Sequence, residues 1–256
     1  MSAVAALLAA AAGRPPTGVV TVGAAVLAGQ LSIGWSNDAR DVERDRATGR
    51  TDKPVATGQL TAGSVWRAAG LAAATCVPLS LLSGWRAALA HLTAVSFAWA
   101  YNLGAKATVL SVLPYAVAFG LLPAFVTLGL SGHPAPPAWA VLGGALLGAG
   151  AHLANALPDL AGDLHTGVRG LPQRLGASPT RAGAAVLLVG AALVITLGPG
   201  RPGALALGGL TVSTAFAGAG LIGQARRPGS RLAFRGVLLA ALVDVALLLA
   251  RAGRLR

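Results

Sequence analysis

The stretch VVTVGAAVLAGQLSIGWSNDARDVERD, residues 19–45, decides the fold. From Val19 to Asn37 it carries no charge, and within the next eight residues come Asp38, Arg40, Asp41, Glu43, Arg44 and Asp45. An apolar run of about 20 residues is the length that a bilayer-spanning helix requires. Acids at the end of such a run are costly beside lipid, so they mark a functional site rather than a solvated surface.

The rest of the chain extends this pattern. Its 256 residues are 55% hydrophobic and 11% charged, against about 25% charged in soluble domains, and the mean hydropathy is +0.68. Apolar runs separated by Gly, Pro and Arg predict helices near 1–12, 19–45, 62–83, 86–104, 109–130, 137–163, 180–198, 203–223 and 235–251. The expectation is an all-α, polytopic membrane protein: one domain over 1–256, about nine helices bundled around a central cavity with a cytoplasmic cap. The first helix is too short to span and is ended by Arg14-Pro15-Pro16. No basic segment precedes it, so a signal peptide is the weaker reading. A start site set too far downstream, clipping the first helix, is expected instead.

The net charge of +12 comes almost wholly from scattered Arg. It forms no basic stripe with interleaved aromatics, which excludes a nucleic-acid surface. Positive-inside topology and attraction to anionic headgroups account for most of it. Placing residues 46–61 in the cytoplasm puts most basic residues on that side, with both acid clusters, Lys106, Arg169, Arg174 and the 224–235 loop. Cys76 is the single cysteine, so it makes no internal disulfide. His91, His133, His152 and His165 have no zinc-ligand spacing.

The acids number eight, and seven lie at the predicted ends of helices two and six: Asp38, Asp41, Glu43, Asp45 and Asp52, then Asp159 and Asp163. These stretches match each other. Asn37, Asp41 and Asp45 recur 118 residues on as Asn155, Asp159 and Asp163, and Gly49, Pro54 and Gly58 as Gly167, Pro172 and Gly176. Internal repeat motifs therefore occupy 37–58 and 155–176. Helices two and six run the same way, so the repeat is parallel about an axis normal to the bilayer, with a site between the halves.

Residues at i, i+4 and i+8 share a helical face. Each motif then projects an amide and two carboxylates into one cavity. Clustered carboxylates repel unless protonated or bridged by cations, and Mg²⁺ suits one or two carboxylates plus phosphate oxygens. Glu43 lies off this face and pairs with Arg40 or Arg46, and Asp52 caps a loop.

After each acid motif comes a glycine-containing basic loop, with Arg46, Arg50 and Lys53 in the first and Arg169 and Arg174 in the second. Arg offers bidentate contacts to phosphate. Lys53 and Lys106 are the only lysines; each is either a phosphate ligand or a positive-inside anchor. Tyr101 and Asn102 line the cavity, or Tyr101 is an interfacial aromatic. Phe97, Trp99 and Tyr115 are belt residues or shield a cation. Gln30 and His152 extend the motif faces inward, either to substrate or to a neighbouring helix. Asp244 has no assignment.

Asn37-Asp38-Ala39-Arg40-Asp41-Val42-Glu43-Arg44-Asp45 resembles the NDxxDxxxD motif of the UbiA-type intramembrane prenyltransferases. Asp159-Leu160-Ala161-Gly162-Asp163, with Gly167 and Leu171-Pro172, resembles their second motif, Lys53 to Gly58 a basic-proline stretch, and Tyr101 to Lys106 a tyrosine–lysine motif. The resemblance covers nearly the whole chain. It implies Mg²⁺ held by Asn37, Asp41, Asp45, Asp159 and Asp163, with Asp41, Asp45, Asp159, Asp163, Lys106 and Tyr101 catalytic. It implies a polyprenyl diphosphate donor bound by Asn37, Asp38, Arg50, Lys53, Asn102, Asn155, Arg169 and Arg174, and a lipophilic acceptor that captures the allylic cation. The chain departs from the family pattern in its short first helix and in Arg169-Gly170-Leu171, where many relatives have Arg-Thr-Leu; the second departure is expected to matter little. The alternative is an ion-coupled transporter using the paired acids at the bilayer midplane.

Overall fold

The computed structural model describes residues 1–165, 167–226 and 231–255. Thr166 of the second loop and Arg227 of the topology argument lie outside the described residues. The described chain is helical, with no strand among those residues. Its helices are α1 (Ser2–Ala11), α2 (Pro16–Arg40), α3 (Val42–Ala47), α4 (Ala62–Leu81), α5 (Trp85–Leu103), α6 (Leu113–Thr127), α7 (Ala138–Ala156), α8 (Leu160–His165), α9 (Leu171–Leu175), α10 (Ala177–Leu197), α11 (Ala204–Arg226) and α12 (Arg231–Ala250). Two 3₁₀ turns, Ala105–Ala107 and Val109–Val112, join α5 to α6.

Among the described residues, five segments are long and apolar enough to cross a membrane: Pro16–Arg40, Ala62–Leu81, Val109–Thr127, Ala177–Leu197 and Ala204–Ile222. The sequence reading expected about nine. Polar cavity-facing residues separate α5 and α7 from the five, since α5 carries His91, Tyr101 and Asn102 and α7 carries His152 and Asn155.

Sequential long helices pack side by side from α2 through α4, α5, α6, α7, α10, α11 and α12, and α12 returns to α1, which packs on α2. Small residues fill much of the interior, where Ala25, Ala87, Ala140, Ala184, Ala191, Ala192 and Ala240 are fully buried around a few large side chains such as Phe125, Leu188 and Ile195. Large apolar side chains face outward, with Leu205 78%, Leu71 71% and Val20 70% exposed. Large outside and small inside is the order that lipid solvation permits, because close backbone approach rather than hydrophobic burial holds helices together there.

The α6–α7 contact shows how close that approach is. A Cβ on Gly144 would sit 2.6 Å from the Phe119 carbonyl oxygen, and one on Gly148 2.4 Å from that of Tyr115. Gly148→Val forces backbone apart at a site that also places Tyr115. It is expected to destabilise the protein by about 1–3 kcal/mol, read as a lowered thermal unfolding midpoint in detergent; an unchanged midpoint would contradict this packing.

Both acid motifs are broken rather than carried on one continuous helix. The long helix predicted over 19–45 stops at Arg40, with Asp41 at φ −95 and ψ 8, before α3 begins. The one predicted over 137–163 stops at Ala156, and three turn residues precede α8. Pro158 explains the second break, since it has no N–H to continue the ladder. The break positions correspond: α3 spans 42–47 and α8 spans 160–165, the 118-residue offset again. Three backbone hydrogen bonds repeat at this offset. Asp45 N–H to Asp41 O (2.8 Å), Gly49 N–H to Arg46 O (3.1 Å) and Arg50 N–H to Asp45 O (2.9 Å) match Asp163 to Asp159 (2.8 Å), Gly167 to Leu164 (3.3 Å) and Val168 to Asp163 (2.9 Å). Gly49 and Gly167, with φ of 68 and 80, close both turns in the left-handed region that glycine enters freely.

Candidate active site

A cavity of about 650 Å³ opens between α2, α5, α6 and α7. Asn37, Asp41, Asn155, Asp159 and Asp163 line its polar end, together with Tyr101, Asn102 and Lys106. The two motifs thus meet at one end of the bundle. Apolar residues from α2, α5 and α6, among them Val26, Val95, Phe119 and Leu122, line its deeper part.

Cations interleave with the acids. The Arg44 guanidinium donates to Asp41 Oδ2 at 2.9 Å and lies 3.6 Å from Asp163 Oδ1, so one side chain ties both motifs together. Lys106 Nζ donates to Asp41 Oδ1. Lys53 Nζ donates to Asp45 Oδ2 at 2.8 Å and to Asp38 Oδ1 at 2.9 Å. Gln173 Nε2 donates to Asp163 Oδ2 at 2.8 Å. Asp159 is exposed to the cavity and makes no ion pair among the described residues.

These contacts and burial pull against each other at three of the groups. Burial raises the pKa of Asp163, against the lowering pull of Arg44 and the Gln173 hydrogen bond. Burial lowers that of Lys106, with Asp41 opposing it. Burial also pulls Lys53 down, but its bonds to Asp45 and Asp38 outweigh this and hold it above its ordinary value. Five carboxylates face three cations, so the cluster keeps a formal negative excess that favours further cations. No three His, Cys, Asp or Glu side chains converge into a closed metal cage among the described residues.

Not every predicted site residue reaches the cavity. Asp45 is 2% exposed and, with Asp38 and Lys53, stands behind Asp41 rather than on the cavity wall. The break at Asp41 turns the later part of the motif away from the face that carries Asn37. Arg50 is exposed and forks onto Asp52, both bonds 2.8 Å. Asp52, expected to cap a loop, is thereby an ion-pair partner. Arg50 is still close enough for Asp45 and Asp159 to act on it electrostatically. Arg169 and Arg174 are exposed, with Arg174 Nε bonded to the Arg169 carbonyl at 2.9 Å. Glu43 is exposed and makes no ion pair among the described residues; Arg46 bonds the Val55 and Ala56 carbonyls instead.

The aromatic groups cluster at mid-cavity. Tyr101 meets Tyr115 edge-on at 5.3 Å and His152 at 5.6 Å, and Tyr115 lies 4.8 Å from His152. This puts Tyr101 and Tyr115 on the cavity wall rather than in an interfacial belt, whereas Trp99 donates to Ser32 Oγ at 3.1 Å. Asn102 spends both amide donors on α2, on Ile33 O at 2.8 Å and Ser36 Oγ at 2.9 Å. It holds α5 to α2 beside the acids. His152 bonds Ser111 Oγ at 3.1 Å, and that oxygen also accepts from Leu171 N–H at 3.1 Å, which ties α7 to the second loop.

Arg44 and Gln173 had no role at the site in the sequence reading, and Gly170 was expected to matter little. Arg44 stands at i+3 from Asp41, a spacing that brings side chains together on a helix. Gly170 matters more than expected: a Cβ there would lie 2.4 Å from the Lys106 carbonyl oxygen. The Lys106 turn therefore leaves no room for any side chain at position 170.

Comparisons with known proteins agree with this architecture. The model of the UbiA prenyltransferase family matches residues 1–242. A UbiA homolog from Aeropyrum pernix K1, in its apo form, superposes with a TM-score of 0.76 at 19% identity, covering 97% of this chain and 94% of that one. A digeranylgeranylglyceryl phosphate synthase gives 0.70 at 16% identity, covering 99% and 92%. A UbiA homolog from Archaeoglobus fulgidus bound to GPP and Mg²⁺ gives 0.66 at 17% identity, covering 97% and 95%. No curated protein matches the chain. Two acid motifs meeting at one end of a helical ring, in a chain matched by the family model over nearly its full length, lead to one conclusion: it belongs to the UbiA prenyltransferase family.

Proposed function

We propose that this protein is an Mg²⁺-dependent membrane prenyltransferase that moves a polyprenyl group from an allylic diphosphate to a lipophilic acceptor, an aromatic ring or an alcohol. The observation that carries this reading is the convergence of Asn37, Asp41, Asn155, Asp159 and Asp163 on the polar end of one cavity whose deeper wall is mostly apolar, with Gln30 and His91 among its residues. The polar end suits a diphosphate and the apolar end an isoprenoid tail. On this reading the two motif stretches are copies of one duplicated unit within a single domain, as the recurring turns support. Helices α5, α7 and α12 also cross the bilayer, and the motif end with its two loops forms a cap facing the cytoplasm.

The donor set fits Mg²⁺. All candidate ligands are oxygen donors, and this ion commonly takes one or two carboxylates with substrate phosphate oxygens, so a closed protein cage is not required. Asp41, Asp159 and Asp163, with the side-chain oxygens of Asn37 and Asn155, would hold it. When bound, it would neutralise charge building up on the departing diphosphate. The protein's own groups add to this. Arg44 and Lys106 present N–H donors where the diphosphate would lie, and stabilise it as the allylic C–O bond breaks. Asp38, Asp45 and Lys53 hold the first motif in place from behind. Arg50, Arg169 and Arg174, exposed around the entrance, attract the anionic donor. Tyr101 and Tyr115 turn aromatic rings toward the cavity, where a transient allylic cation is favoured by the ring faces and kept from water.

The acids sit at helix ends among cations, whereas an ion-coupled transporter would place them near mid-membrane. The test is diphosphate release from geranyl diphosphate by purified protein, with total membrane lipid extract supplying the acceptor. Release is expected with Mg²⁺, to disappear with EDTA and to return when Mg²⁺ is restored. Release that persists in EDTA would sink the reading.

A further inference from the structure

At the other end of α2, a second cavity adjoins a buried cation. Arg14 lies in the link between α1 and α2; α2 is 25 residues long, so Arg14 stands about 38 Å from the aspartate end. It is 8% exposed. Two glycines make room for its guanidinium: a Cβ on Gly129 would lie 2.5 Å from Nη1 and 2.6 Å from Nη2, and one on Gly18 3.1 Å from Nε. Nε and Nη1 are buried and have no hydrogen-bond partner. Every ion pair among the described residues belongs to the opposite end of α2, and Arg14 takes part in none.

An unpaired buried charge is strongly unfavourable. Burial lowers the Arg14 pKa from its ordinary value, but where a lysine could shed its proton a guanidinium does not. The charge therefore calls for a partner. Beside it is a cavity of about 560 Å³ lined by Arg14, Thr17, Gly18, Leu82 and Ser131 among others. The N-terminus of α2 opens into it with Pro15 as N-cap and no capping side chain, so the first-turn amides of Thr17 and Gly18 add positive potential. Thr21 spends its hydroxyl proton on the Thr17 carbonyl at 2.8 Å, which leaves Thr17 and Ser131 as the hydroxyl donors on the wall. Leu82, 72% exposed, flanks the opening with an apolar surface.

We propose that this cavity is an anion site that takes a phosphate group, at the membrane face opposite the aspartate cluster. A lipid headgroup phosphate and free inorganic phosphate share the chemistry. The inference stands apart from the prenyltransferase reading, since none of its residues touches the larger cavity.

The test compares wild type with R14Q and R14K, purified as the full chain in uncharged detergent. Phosphatidylglycerol is expected to raise the wild-type unfolding midpoint by several degrees more than phosphatidylcholine does. R14Q is expected to lose that increment and R14K to keep part of it, while diphosphate release in phosphatidylcholine stays at the wild-type level in both. An increment given by phosphatidylglycerol alone assigns the site to a lipid headgroup, and one matched by millimolar inorganic phosphate assigns it to the free anion. An equal increment in R14Q, or none with either probe, overturns the proposal. Should R14Q fail to fold, hydrogen exchange over residues 13–21 of the wild type decides: slowing by either probe supports the site, and unchanged exchange overturns it.

Discussion

Asp41→Ala and Asp159→Ala are each expected to lower Mg²⁺-dependent diphosphate release by about a hundredfold to a thousandfold, the range seen when one group aimed at developing charge is removed. The two substitutions disturb different surroundings. Asp41 is buried and pinned by Arg44 and Lys106, so its loss also frees two cations and weakens the link to α5. Asp159 is exposed to the cavity without an ion pair among the described residues, so its loss removes a proposed ligand and disturbs little else. If both act through one diphosphate-binding centre, the double variant falls no further than the worse single one, because groups that work as a unit are not additive. An Asp159→Ala protein with wild-type release would remove the second motif from the mechanism.

The second large effect is expected from Arg44→Ala. Its guanidinium is held between the motifs, 2.9 Å from Asp41 and 3.6 Å from Asp163, and it lines the cavity. Its removal leaves the carboxylates of the two halves facing each other with less compensation, and takes away a fork of donors suited to phosphate. The expected result is a fall in kcat/KM for the donor of about tenfold to a hundredfold, the loss of a charge-assisted contact of about 1.5–3 kcal/mol. Arg44→Lys keeps the charge but not the fork, and should recover part of it. Steady-state kinetics over donor concentration reads both. Wild-type kcat/KM in Arg44→Ala would mean that Arg44 serves only to hold the free site together.

How much of this was legible in the sequence differs from residue to residue. Long apolar runs and scarce acids fixed the membrane class, and the repeat at 118 residues paired the motifs before any fold was in hand. The continuous helical face assumed for each motif was not there. Pro158 signals the second break, but the first falls at Asp41 with no proline, so only the repeat itself could have pointed to it. That break is why Asp45 stands behind the cavity with Lys53, although spacing alone put Asp45 beside Asp41; Asp38 precedes the break and lies one residue off the face that carries Asn37. Arg44 was read as part of the positive-inside count, since a spacing rule cannot say which of several arginines turns inward. Gly170 looked like a neutral departure because its significance lies in the Lys106 backbone, distant in sequence and adjacent in space. Arg14 was read as a helix stop, and its burial depends on Gly129, which no local pattern links to it.

On the proposed mechanism, both acid motifs hold a single Mg²⁺-dependent diphosphate site. The most direct measurement is calorimetric binding of an unreactive geranyl thiodiphosphate, which needs no acceptor, to wild type, Asp41→Ala and Asp159→Ala. The account predicts one binding event per chain in the presence of Mg²⁺, absent in EDTA and lost in either variant. Binding of equal strength in EDTA, or in both variants, would contradict it.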